Sequence, residues 1–230
     1  MTSASYDDDD DYEFETILDG TNLHGWKMCG SGMFVLGHNM IISRGGMGLL
    51  WYTKKKFLNF ILKVDWKTST RGDNSGVFVR FADPDDDPLI AVNTGYEIQI
   101  YDGDPPDGNA THRTGAIYDF APPSTLASKE PGQWNLFEIH AIGQNYAVIV
   151  NNKRVTELQA IDSWKDISAC KIMTPNREYA LEKSQSKSCN KKAAYYYIKP
   201  SCPAIFAYEL HYLQQYLSSY LILREVLLMS

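Results

Sequence analysis

Carboxylates and an amide alternate along one short stretch of the chain, GYEIQIYDGD, which covers residues 95–104. In an extended strand, successive side chains point to opposite faces, so Glu97, Gln99 and Tyr101 share one face and Asp102 follows at the end of the strand. A carboxylate can accept a proton, and a neighbouring carboxamide can bind hydroxyl groups. The row therefore predicts a polar face that binds a ligand or carries catalysis.

An arginine lies within the preceding apolar segment, SGVFVRF, which covers residues 75–81. If the two segments are neighbouring strands, Arg80 stands beside Glu97 and its guanidinium favours the ionised carboxylate. The alternative is an exposed cross-strand ion pair, worth less than about 1 kcal/mol.

More polar groups follow in THRTGAIYDF, residues 111–120. Thr114, Ala116 and Tyr118 alternate, which predicts a hydroxyl and a phenol on one side of a strand. His112 precedes them and is a candidate for proton transfer, with a solvated loop histidine as the alternative.

Composition limits the partners that the chain can bind. With 230 residues and 44% hydrophobic content, it can bury the core of one large all-β domain or two small ones. A net charge of −6 gives no basic footprint for nucleic acid, so neutral or small partners are expected. The sequence contains no apolar run long enough to predict a membrane span. The N-terminal sequence as written lacks the features of a secretory signal, which favours a cytoplasmic location. The 4 cysteines lack paired spacing and are expected to be free thiols.

Alternating segments separated by turn residues indicate an all-β fold. Residues 33–45 predict a hairpin that turns at 37–39, and residues 60–69 and 75–81 predict two further strands. Residues 134–158 predict three strands joined by hairpins at 143–145 and 151–152. Short strands at this spacing are typical of a sandwich or a barrel.

The two ends of the chain differ from this pattern, which divides it into residues 1–12, 13–160 and 161–230. The first segment contains five consecutive aspartates and predicts a disordered acidic tail, with a calcium site as the alternative. From about residue 161 the alternation stops and a loop is predicted. Residues 204–229 carry apolar residues at helical spacing, which predicts a helix packed on the sandwich or on another chain. An interfacial membrane helix is less favoured because the polar face is not basic.

Several motifs within residues 14–158 occur together and in the order of a known family. They are FETILDGTNLHGW, GGMGLLWY, DNSGVFVRF, GYEIQIYD, RTGAIYDFAPPS and PGQWNLFEIHAIGQNYAVIVNNKRV. On these motifs the chain resembles the 3-keto-disaccharide hydrolase domain, a concanavalin A-like jelly-roll family. The resemblance implies a two-sheet antiparallel sandwich whose concave face binds carbohydrate, and hydrolysis or elimination of glycosides oxidised at the sugar 3-position.

The resemblance also implies a polar cleft. In a 3-keto sugar the carbonyl acidifies the C2 hydrogen and the C1 oxygen is a β leaving group, so the site needs a base, an enolate stabiliser and an acid. We assign Glu97 as base, Arg80 as stabiliser, and Asp102, His112 or Tyr118 as acid. No cofactor is required, although a divalent metal held by His112 and Asp102 is an alternative to Arg80. The expected sugar-binding residues are Asn74, Gln99, His112, Thr114 and Tyr118.

Two alternatives to this chemistry stay open. EIQIYD is similar to the Glu-x-Asp-x-x-Glu strand of laminarinase-like retaining glucanases, but Gln99 and Asp102 replace the second and third acids. A flat strand separates residues 97 and 102 by roughly 16 Å, which disfavours a paired-carboxylate mechanism. The other alternative is a non-catalytic carbohydrate-binding or interaction sandwich.

The chain departs from the family after residue 160. The expected closing strand pair, with its Ile-Gly-Leu-Gln and Phe-Arg-Asn-Ile segments, is not found in the sequence. Unpaired sheet edges are therefore expected unless the terminal helix covers them.

Overall fold

Two antiparallel sheets form the protein in a computed structural model that describes residues 14–160, 170–174 and 221–229. The five-stranded sheet has the order β2-β5-β12-β7-β8. The eight-stranded sheet has the order β11-β10-β9-β6-β13-β4-β3, and β1 also pairs with β13. The strands are β1 (Glu15–Leu18), β2 (Trp26–Gly30), β3 (Met33–Leu36), β4 (Ile41–Arg44), β5 (Gly48–Tyr52), β6 (Phe60–Thr68), β7 (Asn74–Val79), β8 (Tyr96–Tyr101), β9 (Asn135–Ile142), β10 (Asn145–Val150), β11 (Lys153–Gln159), β12 (Cys170–Thr174) and β13 (Leu221–Met229), and one short helix, α1 (Leu89–Thr94), precedes β8.

A single large core lies between the two sheets. It is built from the apolar residues on the inward face of each strand. In β6 these are Phe60, Leu62, Val64 and Trp66, which are fully buried. The rings of Tyr96 in the five-stranded sheet and Tyr146 in the eight-stranded sheet meet with centroids 4.5 Å apart. The alternation predicted from the sequence therefore produces a sandwich rather than a barrel.

The predicted hairpins are confirmed. Left-handed backbone at His38 and Asn39 turns β3 into β4, and positive φ at Asn151 and Asn152 turns β10 into β11. Gly143 has φ 56° in the turn between β9 and β10. Glycine and asparagine tolerate this conformation better than other residues, which is why these positions were recognisable.

A strand lies beyond residue 161, where the sequence predicts a loop. Residues 170–174 form β12, which pairs with β5 on one side and with β7 on the other. The strand has only 5 residues. So short a segment is difficult to recognise from its pattern alone.

The predicted C-terminal helix is wrong for residues 221–229, which form β13. This strand pairs with β6 along most of its length, and its other edge pairs with β4 and β1. Leu223, Val226 and Leu228 are fully buried. A nearly continuous apolar run fits either a helix or a buried strand, and the open edges of β4 and β6 decide between them.

Other predictions about the ends of the chain lie outside the described residues. They concern the acidic tail at 1–12 and the remainder of the predicted loop and helix at 161–169 and 175–220. Cys29 is a buried free thiol. In the described part of the chain, no helix combines the length and apolar character needed to cross a membrane.

A core substitution in β13 tests its place in the sheet. We expect Leu228→Ala to lower the free energy of unfolding by about 2–5 kcal/mol because it leaves a cavity in a fully buried site. Urea unfolding measures the change. Leu126→Ala is the matched control, since Leu126 is 51% exposed, and a loss equal to that of the control would contradict a central β13.

Acid sensitivity is expected from Glu138 on the outer face of β9. Its hydrogen bond with His140, aided by Lys63, lowers the pKa of Glu138 from 4.5 to about 2 against the opposing effect of burial. The ionised carboxylate therefore stabilises the fold fully above pH 4.5, and this contribution is lost as the pH falls towards 2.

Glu138→Gln should consequently weaken the fold at pH 7 and flatten the decline in unfolding free energy between pH 4.5 and 2. Urea unfolding across this range is the measurement, with Glu130→Gln at an exposed ion pair as control. An unchanged pH profile in Glu138→Gln would contradict the assigned pKa.

Candidate functional site

The predicted polar row lies on the outer face of the five-stranded sheet. Ile98 and Ile100 are buried in the core between the sheets, so the alternation places Glu97 and Gln99 on the opposite side. In the register of β7 with β8, Glu97 lies opposite Phe78 and Gln99 lies opposite Gly76. Glu97 is half-buried. The sequence thus predicted correctly which residues share this face.

Glu97 extends across the neighbouring strand over Gly76. A Cβ atom added at Gly76 would lie 2.4 Å from Oε1 of Glu97 and 2.7 Å from its Cγ. No side chain larger than hydrogen fits there without moving the carboxylate. Gly76 therefore allows the carboxylate to lie over the sheet instead of extending away from it.

Gln99 and Asn74 form an amide pair beside Glu97. The Gln99 Nε2 atom donates to Oδ1 of Asn74 at 3.3 Å, and Oε1 of Gln99 accepts from the Ile100 backbone N–H at 3.2 Å. Gln99 is only 2% exposed, whereas Asn74 is half-buried. The pair stiffens the face, and Asn74 is the more accessible of the two amides.

Tyr118 lies level with Glu97 on the outer edge of β8. Its backbone N–H donates to the Glu97 carbonyl at 2.9 Å, and Ile117, which bridges to Ile98, is buried in the core. Tyr118 therefore shares the outer face with Glu97. The His112 ring stacks on the Tyr118 ring with centroids 4.1 Å apart and planes 11° apart.

Two carboxylates flank His112. Oδ2 of Asp107 lies 3.1 Å from Nδ1, and Oδ1 of Asp119 lies 2.8 Å from Nε2. A carboxylate only accepts hydrogen bonds, so both ring nitrogens donate when the ring is protonated. The pKa of Asp107 is lowered chiefly because the Asn109 backbone N–H donates to its carboxylate, with the charge of His112 adding to this effect.

Asp107 and Asp119 are not among the site residues that the sequence predicts. Asp119 has φ 62°, a conformation that costs energy in a residue other than glycine and that often occurs at functional positions. Asp107 lies in a stretch rich in turns, and the spacing of residues in the sequence does not predict the conformation of such a stretch. The only signal was the position of Asp119 directly after Tyr118 in the YDF segment.

Thr114 and Asp102 make structural contacts. Oγ1 of Thr114 accepts from the Tyr101 backbone N–H at 2.8 Å, and Thr114 is 2% exposed. Oδ1 of Asp102 accepts from the Ser128 hydroxyl at 2.5 Å. This hydrogen bond ties the end of β8 to the loop that contains Ser128. Within residues 14–160, 170–174 and 221–229, no cluster of three or more histidine, cysteine or acidic side chains is arranged to hold a metal.

Arg80 does not stand beside Glu97, which corrects the predicted pairing. It is 5% exposed, and its backbone has φ 52°, which ends the alternation of β7. Its guanidinium donates to the carbonyls of Leu58 at 2.5 Å and of Ala141 at 3.0 Å, and also to the Gly143 carbonyl. The Tyr146 hydroxyl accepts a further bond at 3.0 Å.

Arg80 therefore clamps the five-stranded sheet to the β9–β10 hairpin of the eight-stranded sheet. A guanidinium carries five N–H donors, and a buried one must find acceptors for most of them. The two terminal nitrogens of Arg80 find acceptors in the carbonyls of Leu58, Ala141 and Gly143, whereas its buried Nε has no partner among the described residues.

Removing the Arg80 clamp should cost stability. We expect Arg80→Met to lower the free energy of unfolding by about 2–4 kcal/mol, because buried carbonyls lose their donors. Urea unfolding measures the loss. Arg71→Met is the matched control, since Arg71 forms an exposed pair with Glu130 that is worth less than about 1 kcal/mol. An Arg80→Met protein with unchanged stability would contradict the clamp.

Comparison with known proteins connects this geometry to a family. Residues 13–188 match the family described as the 3-keto-alpha-glucoside-1,2-lyase-like domain, which confirms the resemblance seen in the motifs and extends it beyond residue 158. No curated protein matches the chain in sequence.

Solved structures share the fold. Two proteins of Parabacteroides distasonis, both provisionally described as glycosyl hydrolases, are similar to this chain. One is 20% identical with a TM-score of 0.61 over 95% of this chain and 99% of its own. The other is 16% identical with a TM-score of 0.62 over 94% and 93%. The exoplasmic/lumenal domain of VIP36, solved with Ca²⁺ and Man3GlcNAc, is 9% identical with a TM-score of 0.52 over 94% and 90%. Identities this low show a shared lectin-like β-sandwich.

Proposed function

The chain belongs to the 3-keto-alpha-glucoside-1,2-lyase-like domain family, and from this membership we propose that it cleaves glycosides on the outer face of its five-stranded sheet. The observation that carries the proposal is the Glu97 carboxylate, which lies over Gly76 on the same face as Tyr118. A half-buried carboxylate held across a sheet is well placed to remove a proton from a bound sugar.

The reaction that suits one carboxylate is an elimination from a 3-keto glycoside. Glu97 removes the C2 proton, which the neighbouring carbonyl makes acidic. The electron pair of the C2–H bond forms a C1=C2 double bond, the C1–O bond breaks, and the leaving oxygen takes up a proton. Addition of water across this double bond, with the oxygen bonding to C1 and a proton returning to C2, would then complete the hydrolysis. This route needs no carboxylate nucleophile, in agreement with the contact of Asp102 with Ser128.

Of Asp102, His112 and Tyr118, the residue with the best support as the general acid is Tyr118. It lies level with Glu97, and the stacked His112 ring places an imidazole against its phenol. When His112 donates to both Asp107 and Asp119, its positive ring stabilises negative charge on the phenol oxygen. We therefore assign Tyr118 as the proton donor to the leaving oxygen, and His112, Asp107 and Asp119 as positioning residues.

A non-catalytic carbohydrate-binding sandwich is the second candidate. The burial of Arg80 against main-chain carbonyls favours it, because the guanidinium expected to stabilise an enolate is used elsewhere. Such a protein would keep the amide of Asn74, which Gln99 holds in place, and the Tyr118 ring for sugar binding. Turnover of an oxidised glycoside separates the two functions.

Replacing Glu97 tests the catalytic proposal. Purified protein is incubated with a 3-keto-glucoside and, separately, with the unoxidised parent glucoside, and the released aglycone is measured. We expect the native protein to cleave the 3-keto compound, and Glu97→Gln to lose about 10²–10⁴-fold in rate because the base is gone. Sugar binding should stay within a few-fold.

Two variants support the interpretation of this assay. Gly76→Ala should also reduce turnover because the added methyl displaces the carboxylate, whereas Glu130→Gln on the surface should not. A fully active Glu97→Gln protein would remove Glu97 from the mechanism. Sugar binding by a native protein that turns over neither substrate would support the non-catalytic sandwich.

A further inference from the structure

The outer face of the eight-stranded sheet carries a depression centred on Ala147. Tyr146 and Val148 are buried in the core, so Ala147 points outwards. In the register of β9, β10 and β11, Ala147 lies between His140 and Glu157. A methyl group between two long side chains leaves a trough, which we call the Ala147 depression.

One end of the Ala147 depression is closed by the next row of the sheet. Asn145 lies opposite Ile142 on β9 and opposite Gln159 on β11. At the other end, Arg154 approaches Glu157 after a register shift between Val148 and Ile149. The depression is open to solvent on its outer side, and its volume is about 440 Å³, within the range of small-molecule sites.

The rim offers two carboxamides that can bind hydroxyl groups. Asn145 and Gln159 are exposed, and neither side chain hydrogen-bonds to another residue in the described part of the chain. A carboxamide both donates and accepts, as a sugar hydroxyl does, so one amide can serve two neighbouring hydroxyls. Ile142 provides apolar surface for the C–H groups of a ring, and Ala147, which is 6% exposed, forms the floor of the depression.

The charges around the depression are paired. Nη1 of Arg154 lies 2.6 Å from Oε1 of Glu157, and Nε2 of His140 lies 2.6 Å from Oε1 of Glu138. Since Glu157 pairs with Arg154 and Glu138 pairs with Lys63, the surface favours neither an anion nor a cation. A neutral, hydroxyl-rich ligand fits these groups best.

We propose that the Ala147 depression is a second carbohydrate-binding site, which takes one neutral pyranose unit. It lies on the outer face of the eight-stranded sheet, whereas Glu97 lies on the outer face of the five-stranded sheet, and the shared core separates them. The site would bind one sugar unit of a substrate chain or of a carbohydrate surface. The outer face of the five-stranded sheet would meanwhile act on another sugar unit. It does not depend on the proposed catalytic role of Glu97.

The test is a titration of the full chain with the methyl glycosides of glucose, galactose, mannose and N-acetylglucosamine, followed by NMR. For at least one sugar we expect saturable shifts of the Asn145 and Gln159 side-chain amides and of the Ala147 methyl group. The variant Ala147→Leu fills the trough and should weaken this binding at least about tenfold, as expected where a ligand loses its space and its hydrogen bonds.

Two controls separate this site from the proposed catalytic face. Ala147→Ser keeps the trough open and should bind as the native protein does. Glu97→Gln should also leave the Ala147 shifts unchanged, whether or not it turns over substrate.

Three outcomes would overturn the proposal. One is the absence of saturable shifts at residues 145, 147 and 159 with all of the sugars. Another is equal binding by Ala147→Leu and the native protein. The third is a set of shifts confined to the five-stranded sheet.

Discussion

The pairing of β13 with β6 joins the two halves of the eight-stranded sheet, and the rest of the structure depends on it. Without β13, the backbone groups along one edge of β6 would lack partners, and β1 and β4 would lose their connection to β9, β10 and β11. Buried backbone groups without hydrogen bonds are costly, so the position between β6 and β4 must be filled. Residues near the end of the chain fill it and complete the inner face on which the five-stranded sheet packs.

Small residues create the concave surfaces on the outer faces of both sheets. Gly76 leaves the room in which the Glu97 carboxylate lies over the five-stranded sheet. Ala147 leaves the trough between His140 and Glu157 on the other sheet. In a sheet, a small residue among larger neighbours creates a concave surface without interrupting the backbone ladder. Both candidate sites therefore lie on rigid strands.

Charged groups in this protein are used in two different ways. Arg80 is buried and its two terminal nitrogens donate to main-chain carbonyls, which makes it part of the packing between the sheets. His112 and His140 stay near the surface, each next to carboxylate partners. Arg80 therefore does not reach the outer face that carries Glu97 and Tyr118.

The sequence alone determined the features that depend on local spacing. The two-residue period of β6 to β11, the hairpin turns, the shared face of Glu97 and Gln99, and the family motifs follow from the order of neighbouring residues. Tertiary structure decided the remainder. The LILREVLLM segment forms a strand because two open edges were available to it. Arg80 lies away from the outer face because its terminal nitrogens donate to distant main-chain carbonyls, and turns bring Asp107 and Asp119 to His112. These outcomes depend on partners distant in the chain or on the path of irregular turns, neither of which a local pattern encodes.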